Sequence, residues 1–254
     1  MLPVVRYVVH PTGITGTPQR LAEALTAQGL RAYPSPELAP QSLSFAEDVF
    51  LIYPPPGYLR GAGAEYGALY GFFSRNKLGQ RRRLAAAGLP VPATIGRHGQ
   101  PIAPSPLGYI VRPLRHAGGR DYRRTDDPGD FVEGEQYLSA VFPKQRELRV
   151  ICCRGERVVT LEKDPPAAAG PADPWNHEAG ARFRTIERAA DDPLVQTGLY
   201  ERLPAVPFLA PAHLLGIDVM LAADARYAIL EVNACPGLAI ERNLRAVAER
   251  LAMR

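Results

Sequence analysis

The sequence predicts a mixed α and β fold, a small α/β unit followed by a strand-rich region and a closing hairpin and helix, and three features carry that expectation. An apolar β-branched run, a capped helical stretch and a second apolar run fill the first quarter in the order strand, helix, strand. Strand-like runs with turn residues between them then crowd residues 109–161. A hairpin pattern followed by a helical stretch closes the chain. The composition agrees. Of 254 residues 46% are hydrophobic and 22% charged, which suits a packed core and excludes disorder. Glycine (23) and proline (26) are abundant without a fixed period, so the fold is loop-rich and neither collagen-like nor low-complexity.

Taken in order, residues 3–9 read as the first strand. Thr17 and Pro18 offer an N-cap and a first-turn proline for a helix through Gln28, which Gly29 stops. Residues 48–53 form a second strand, ended by Pro54-Pro55-Pro56-Gly57. Gly13 and Gly16 precede the helix, where backbone N–H groups could hold an anion or simply make a tight turn. Ser74 or Asn76 caps a helix over 77–87, Gly88 ends it, and Pro90 and Pro92 keep the next stretch of chain extended. Arg81, Arg82 and Arg83 spread over most of that helix's circumference, so a solvated surface is expected in preference to a nucleic-acid stripe. Residues 109–112 are a strand closed by Pro113, and a glycine-bearing loop, 116–122, comes next. Residues 134–141, 146–152 and 157–161 are strand-like, the last two joined by a turn at Gly155-Glu156. Residues 163–174, rich in Pro, Ala and Gly, read as a mobile loop. Residues 215–221 and 227–233 make the hairpin, and a helix runs from about 240 to 253.

Thirty Lys and Arg against 26 Asp and Glu give +4, a mild excess that suits phosphate-bearing ligands without demanding nucleic acid. The three cysteines, Cys152, Cys153 and Cys235, lack metal-ligand spacing, and an adjacent pair is poor geometry for a disulfide. A reducing, cytoplasmic location is expected. The opening run is interrupted by Arg6 and Pro11, leaving no signal-peptide core, and the longest uncharged stretch, 203–217, is shorter than the ~20 apolar residues of a membrane span. A membrane partner is therefore not expected.

The hairpin carries the densest chemistry. If its turn holds an even number of residues, even positions of the first strand face odd positions of the second, and Asp218, Glu231 and Asn233 share a face. Two carboxylates and an amide oxygen form a hard donor cluster suited to Mg²⁺ held jointly with nucleotide phosphates. The alternative is a hairpin whose polar residues face solvent. On its other face Ile217, Val219, Leu230 and Val232 are core-formers. Gly118 and Gly119 permit close backbone approach to an anion, and Lys77 and Arg112 stand where a cleft could use positive charge. Each of these alone also fits a plain turn or a solvated side chain.

Together the segments resemble a known family. They are Asn76-Lys77 with Gly88-Leu89-Pro90-Val91-Pro92-Ala93-Thr94, and Tyr109-Ile110-Val111-Arg112-Pro113 with the glycine loop. Gln136-Tyr137-Leu138, Arg146-Glu147-Leu148-Arg149-Val150 and Asn176 come next, then Asp218 and Glu231-Val232-Asn233-Ala234-Cys235-Pro236-Gly237-Leu238. In order and spacing this resembles the ATP-grasp superfamily, of the carboxylate-amine ligase type that includes ribosomal-protein glutamate ligases and glutathione synthetases. The resemblance covers about residues 74–245 and implies two α+β lobes clasping ATP, 74–136 and 137–254, after an α/β unit at 1–73. It implies ATP with Mg²⁺, or Mn²⁺, as cofactors. The backbone of Gln136, Tyr137 and Leu138 would bind adenine and Glu147 the ribose hydroxyls. Lys77 and Arg112 would neutralise phosphates beneath the Gly118-Gly119 loop. Arg149 and Asn176 would stabilise the transferred phosphate, and Asp218, Glu231 and Asn233 would hold one or two Mg²⁺. The implied reaction joins a small-molecule, peptide or amino-acid carboxylate to an amine through an acyl phosphate, releasing ADP and phosphate. Arg112 departs from the family's usual lysine, keeping the charge but presenting a planar fork.

Two other readings stand beside this one. Arg112 and the weakly matched first 73 residues allow an ATP-binding interaction module without turnover. A sequence pI near 9.0 and the Arg81 to Arg83 cluster allow a nucleic-acid-directed enzyme or binder. Cys152 and Cys153 are expected as core thiols and Cys235 as a packing residue, since the implied chemistry needs no thiol nucleophile. His116, His177 and His213 are expected to be structural or solvated. Lys163, opening the loop, is a weaker candidate for acceptor binding. Ligases of this kind are often homo-oligomers.

Overall fold

A computed structural model describes residues 6–9, 17–33, 49–52, 76–115, 121–167, 169–170, 173–175, 180–209, 214–233, 236–238 and 240–253. The first unit comprises β1 (Arg6–Val9), α1 (Thr17–Ala27), β2 (Arg31–Tyr33) and β3 (Val49–Ile52), forming a parallel sheet in the order β2-β1-β3. The strand β2 is absent from the sequence reading because three residues leave too short a pattern to register. At the end of α1, Leu30 N–H returns to Leu25 C=O at 3.1 Å and Gly29 N–H to Thr26 C=O at 2.9 Å, satisfying the last carbonyls.

α2 (Lys77–Ala86) begins where Asn76 Oδ1 accepts from Gly79 N–H at 3.1 Å. It leads into β4 (Thr94–Ile95), β5 (Tyr109–Pro113), β6 (Arg123–Thr125) and β7 (Gln136–Ala140), an antiparallel sheet in the order β4-β7-β5-β6. All of β7 belongs to this sheet, from Gln136 opposite Pro113 to Ala140 opposite Tyr109, and residues 141–143 then cross to the next. The larger sheet holds β8 (Lys144–Cys153), β9 (Glu156–Asp164), β10 (Arg182–Thr185), β11 (Leu215–Ala222) and β12 (Tyr227–Asn233). It is antiparallel in the order β10-β9-β8-β11-β12, with the short α3 (Leu199–Arg202) inserted before β11 and α4 (Glu241–Ala252) after β12. The β8–β9 turn places Arg154 (φ 53°) and Gly155 (φ 76°) in the left-handed region, the twist that a two-residue hairpin demands.

The five-stranded sheet is buried on both faces. On one, Leu148, Val150, Ile217, Val219, Ile229 and Val232 pack against Leu194, Leu199, Leu203 and Leu209, joined by Leu84 of α2 and by Leu89. On the other, Ile151, Cys153, Val159 and Leu161 lie beneath Leu244, Val247 and Leu251 of α4 together with Leu21 and Leu25 of α1. Arg20 of α1 pairs with Glu241 of α4 at 2.6 Å. The first helix thus packs into the core of the five-stranded sheet. Ile95, Tyr109, Val111, Phe131 and Leu138 form a separate core under the four-stranded sheet. Among the described residues no helix is long and apolar enough to cross a membrane.

Two expectations are corrected. The three arginines of α2 do not share a solvated surface, for Arg82 and Arg83 are exposed but Arg81 is buried. Lys163 does not open a loop: β9 runs through Asp164, and Lys163 is a buried strand residue. A run of charges ended the apolar pattern in the sequence, but each charge finds a partner on a neighbouring strand.

Candidate active site

The hairpin brings its polar residues together by a route the sequence does not show. Near the turn, Leu221 faces Tyr227 and Val219 faces Ile229, pairing like parity with like. The premise of an even turn therefore fails. Between Asp218 and Val219 the register shifts by one residue, so Asp218 faces Glu231 and Gly216 faces Asn233. This bulge at Leu230 restores the parity that puts Asp218, Glu231 and Asn233 on one face. It also corrects the core: Ile229 is fully buried while Leu230 is only half-buried. Gly216 serves close approach here, since a Cβ on it would lie 2.8 Å from Pro236 Cβ.

Neighbouring strands extend this face into a strip of alternating charge. Asp218 is opposite Arg149 of β8, and Glu147, two residues earlier on β8, is opposite Lys163 of β9. Arg149 grips Asp218 with both prongs, Nε to Oδ1 at 2.6 Å and Nη2 to Oδ2 at 2.8 Å. Lys163 Nζ bonds Glu147 and lies 3.7 Å from Asp218 Oδ2. Lys144 Nζ takes the other Glu147 oxygen at 2.7 Å. On β12, Asn233 Nδ2 donates to Glu231 Oε1 at 3.0 Å and to Asp218 Oδ2 at 3.3 Å. Lys77, the first residue of α2, closes the strip with its Nζ 2.9 Å from Glu231 Oε2. Phe183 of β10 covers both the Arg149 guanidinium, at 4.7 Å, and the Lys163 ammonium, at 5.4 Å.

These contacts set the electrostatics. Burial alone would discourage the Glu231 charge, but Lys77 and the Asn233 amide outweigh it and hold the carboxyl well below the usual carboxylate range. Lys163 is likewise disfavoured by burial, and the Asp218 and Glu147 charges raise its pKa above the ordinary value. Lys144 shows the opposite balance: burial wins and lowers it, with Lys163 and Arg112 adding to the depression. Cys152 and Cys153 are buried free thiols, and burial pushes Cys153 up to about 12, so neither is a nucleophile at neutral pH.

Arg112, 9% exposed, sits on β5 with its guanidinium 5.8 Å from the Tyr122 ring centre. Tyr122 Oη reaches Asp173 Oδ1 at 3.3 Å, and the Asp173 carbonyl accepts from Lys144 Nζ at 2.9 Å. The residue before β6 thereby meets the segment around Trp175, whose ring lies 4.5 Å from Lys144 Nζ. Gln136, Tyr137 and Leu138 lie in β7, where Leu138 has strand partners on both sides, Val111 and Ile95. Glu147, 1% exposed, gives its two oxygens to two lysines. Gly118, Gly119 and Asn176 lie outside the described residues, as do Gly13, Gly16, His116, His177, His213 and Cys235.

Of the expected residues the fold gathers Lys77, Arg149, Asp218, Glu231 and Asn233 into one continuous network, with Glu147 joined to it through Lys163. Lys144 and Phe183 went unrecognised in the sequence, and Lys163 was singled out only as a weaker acceptor-binding candidate at the start of a loop. The signal was faint: Lys163 keeps step with Val159 and Leu161 along β9, which a charge on a buried strand disguises. Among the described residues no three His, Cys, Asp or Glu side chains gather, so the candidate donor set is two carboxylates and one amide.

No family model matches the sequence, and neither does any curated protein. Solved structures do. The chain is similar to the ATP-grasp ligase PsnB complexed with minimal precursor, Mg and ADP, at TM-score 0.62 and 16% identity over 98% of this chain and 96% of that one. It is similar to the macrocyclase MdnC bound with precursor peptide MdnA from Microcystis aeruginosa MRC, at 0.62 and 14% over 97% and 99%. It is also similar to the D-cycloserine synthetase DcsG, at 0.57 and 15% over 97% and 99%. The chain has the ATP-grasp fold.

Proposed function

We propose that this protein is an ATP- and divalent-metal-dependent ligase that joins a carboxylate to an amine through an acyl phosphate, releasing ADP and phosphate. The observation that carries the reading is the convergence of Asp218, Glu231 and Asn233 with Lys77 and Arg149 on one sheet face, in a chain of ATP-grasp fold. The donor set suits a hard cation. Two carboxylates are present, and a half-turn of the Asn233 amide presents its oxygen where its nitrogen now sits. Asp218, Glu231 and Asn233 would hold a divalent ion, which would neutralise charge at the phosphates of the nucleotide.

The chain's own residues do the rest. Lys77 and Arg149 are paired with the donor carboxylates and can turn to phosphate oxygens, so the anion of the substrate replaces the anion of the protein. Arg112, on β5 of the four-stranded sheet, adds a planar charge. Glu147 holds Lys144 and Lys163 beside these groups, and it is the residue from which the ribose contact is proposed. The base contact is proposed at the backbone of Gln136, Tyr137 and Leu138, of which Leu138, flanked by Val111 and Ile95, is the least free. From the family resemblance alone, Gly118 and Gly119 are proposed for phosphate contacts and Asn176 for the transferred group. Positioning and charge carry the chemistry, as phosphoryl transfer requires.

Because PsnB and MdnC are held with precursor peptides, peptide carboxylates are the first acceptors to offer. Incubation with MgATP and paired acid and amine pools is expected to release ADP and phosphate in step with amide formation. Release of AMP and pyrophosphate would sink the acyl-phosphate route, and tight MgATP binding without turnover over broad pools would favour the interaction module.

A further inference from the structure

Arg81 is a buried cation that the proposed chemistry leaves without a task. It lies on α2 one turn beyond Lys77, is 5% exposed, and reaches across to the four-stranded sheet. One terminal nitrogen donates to Thr94 Oγ1 at 3.0 Å and to Ser139 Oγ. The guanidinium lies 5.2 Å from the centre of the Tyr137 ring. Its Nε is buried and has no hydrogen-bond partner. Among the described residues its direct polar partners are hydroxyls, and no carboxylate pairs with it. The acid whose charge reaches it, Glu231, is already bonded to Lys77, while Arg112 repels it. Burial accordingly lowers its pKa.

An unpaired charge in this position is costly, and a leucine or methionine would fill the same space between helix and sheet without the penalty. Its placement gives the charge a use. Tyr137, under the guanidinium, is the residue opposite Arg112 in the β5–β7 ladder, and directly opposed residues point to the same side, so Arg81 packs on the sheet face that presents Arg112. We infer that Arg81 is a positioning residue for an anionic ligand. Its uncompensated charge adds to the positive field that draws phosphate into the cleft, and its two hydroxyl contacts tie the helix bearing Lys77 to the sheet bearing Arg112. This rests on the reading that the cleft takes nucleotide phosphates.

A purely structural clamp behaves differently when removed, and the difference can be measured on the full chain. Arg81→Met removes charge and contacts, Arg81→Gln keeps a donor for the hydroxyls without charge, and Arg81→Lys keeps charge. Thermal melts without ligand are paired with calorimetric titration of ADP with Mg²⁺ and of inorganic tripolyphosphate alone. Arg81→Met and Arg81→Gln are expected to melt at or above the wild-type temperature and to bind both probes at least about tenfold more weakly, with much of the loss restored in Arg81→Lys. Wild-type affinity in Arg81→Gln overturns the inference, as does a weakened Arg81→Met that melts well below wild type and is not rescued by lysine. A wild type that binds tripolyphosphate in an Arg81-dependent way but not ADP overturns the nucleotide reading and leaves this inference standing. ADP binding that ignores Arg81 does the reverse.

Discussion

Asp218 and Glu231 face each other across one rung of a ladder yet differ in what depends on them. The Asp218 carboxylate is 2% exposed and takes both prongs of Arg149, so truncation to alanine strands a guanidinium that has little access to water. Asp218→Ala is expected to lose about 3 kcal/mol of stability along with turnover, read from urea unfolding. Glu231 is more open, at 24% for its side chain, and Glu231→Gln keeps an acceptor for Lys77. That variant should lose turnover while keeping a near-native urea midpoint. A matching loss of midpoint in both variants would contradict this assignment. The depressed Glu231 pKa also makes a statement about acid. Its folded value lies below the ordinary 4.5, so the stabilisation is complete above pH 4.5 and fades as pH falls through the folded value. Lys77→Met removes the principal charge behind the depression, and its acid unfolding, tracked by the fluorescence of the single Trp175, is expected to begin at higher pH than in wild type. Superimposable acid limbs would show that Lys77 does not hold that carboxylate.

At the scale of elements, α2 delivers Lys77 to Glu231 because its first turn is fixed by Asn76. Asn76→Ala should cost about 1 kcal/mol through the lost cap and should weaken ADP binding, by calorimetry, more than a distant substitution of equal cost. This helix was legible in the sequence with its cap and its stop, because both signals are local. The hairpin was legible too, and so was the shared face of Asp218, Glu231 and Asn233, though through the wrong premise. The bulge at Leu230 depends on how β11 is also held by β8, which no short pattern records. The same blindness hid Lys163 and Arg81. A charge on a buried strand or helix face reads as a solvent signal until its partner, Glu147 or the Ser139 and Thr94 hydroxyls, arrives from a distant part of the chain. The short strands β4, β6 and β10 have two to four residues each and owe their existence to longer neighbours.

At the scale of the molecule, packing joins elements far apart in the sequence. Leu21 and Leu25 of α1 are fully buried among residues of β8, β9 and α4, so the first helix stabilises the sheet that bears the charged strip. Leu25→Ala is therefore expected to cost about 2–5 kcal/mol and to lower the unfolding of the whole chain in one transition. Separate transitions, with the sheet bearing Asp218 unaffected, would show that α1 folds on its own account.

The docking of α1 on α4 also bears on how the protein is made. Arg20 and Glu241 are 221 positions apart, and the apolar seam around them cannot form until the later partner has left the ribosome. During synthesis the nascent chain carries Leu21, Leu25 and one face of β8 and β9 uncovered, and loop closure over that span is slow. Packing of the five-stranded sheet on this face therefore waits for α4, and the interval before α4 arrives is when chaperone contact and aggregation compete for the exposed seam.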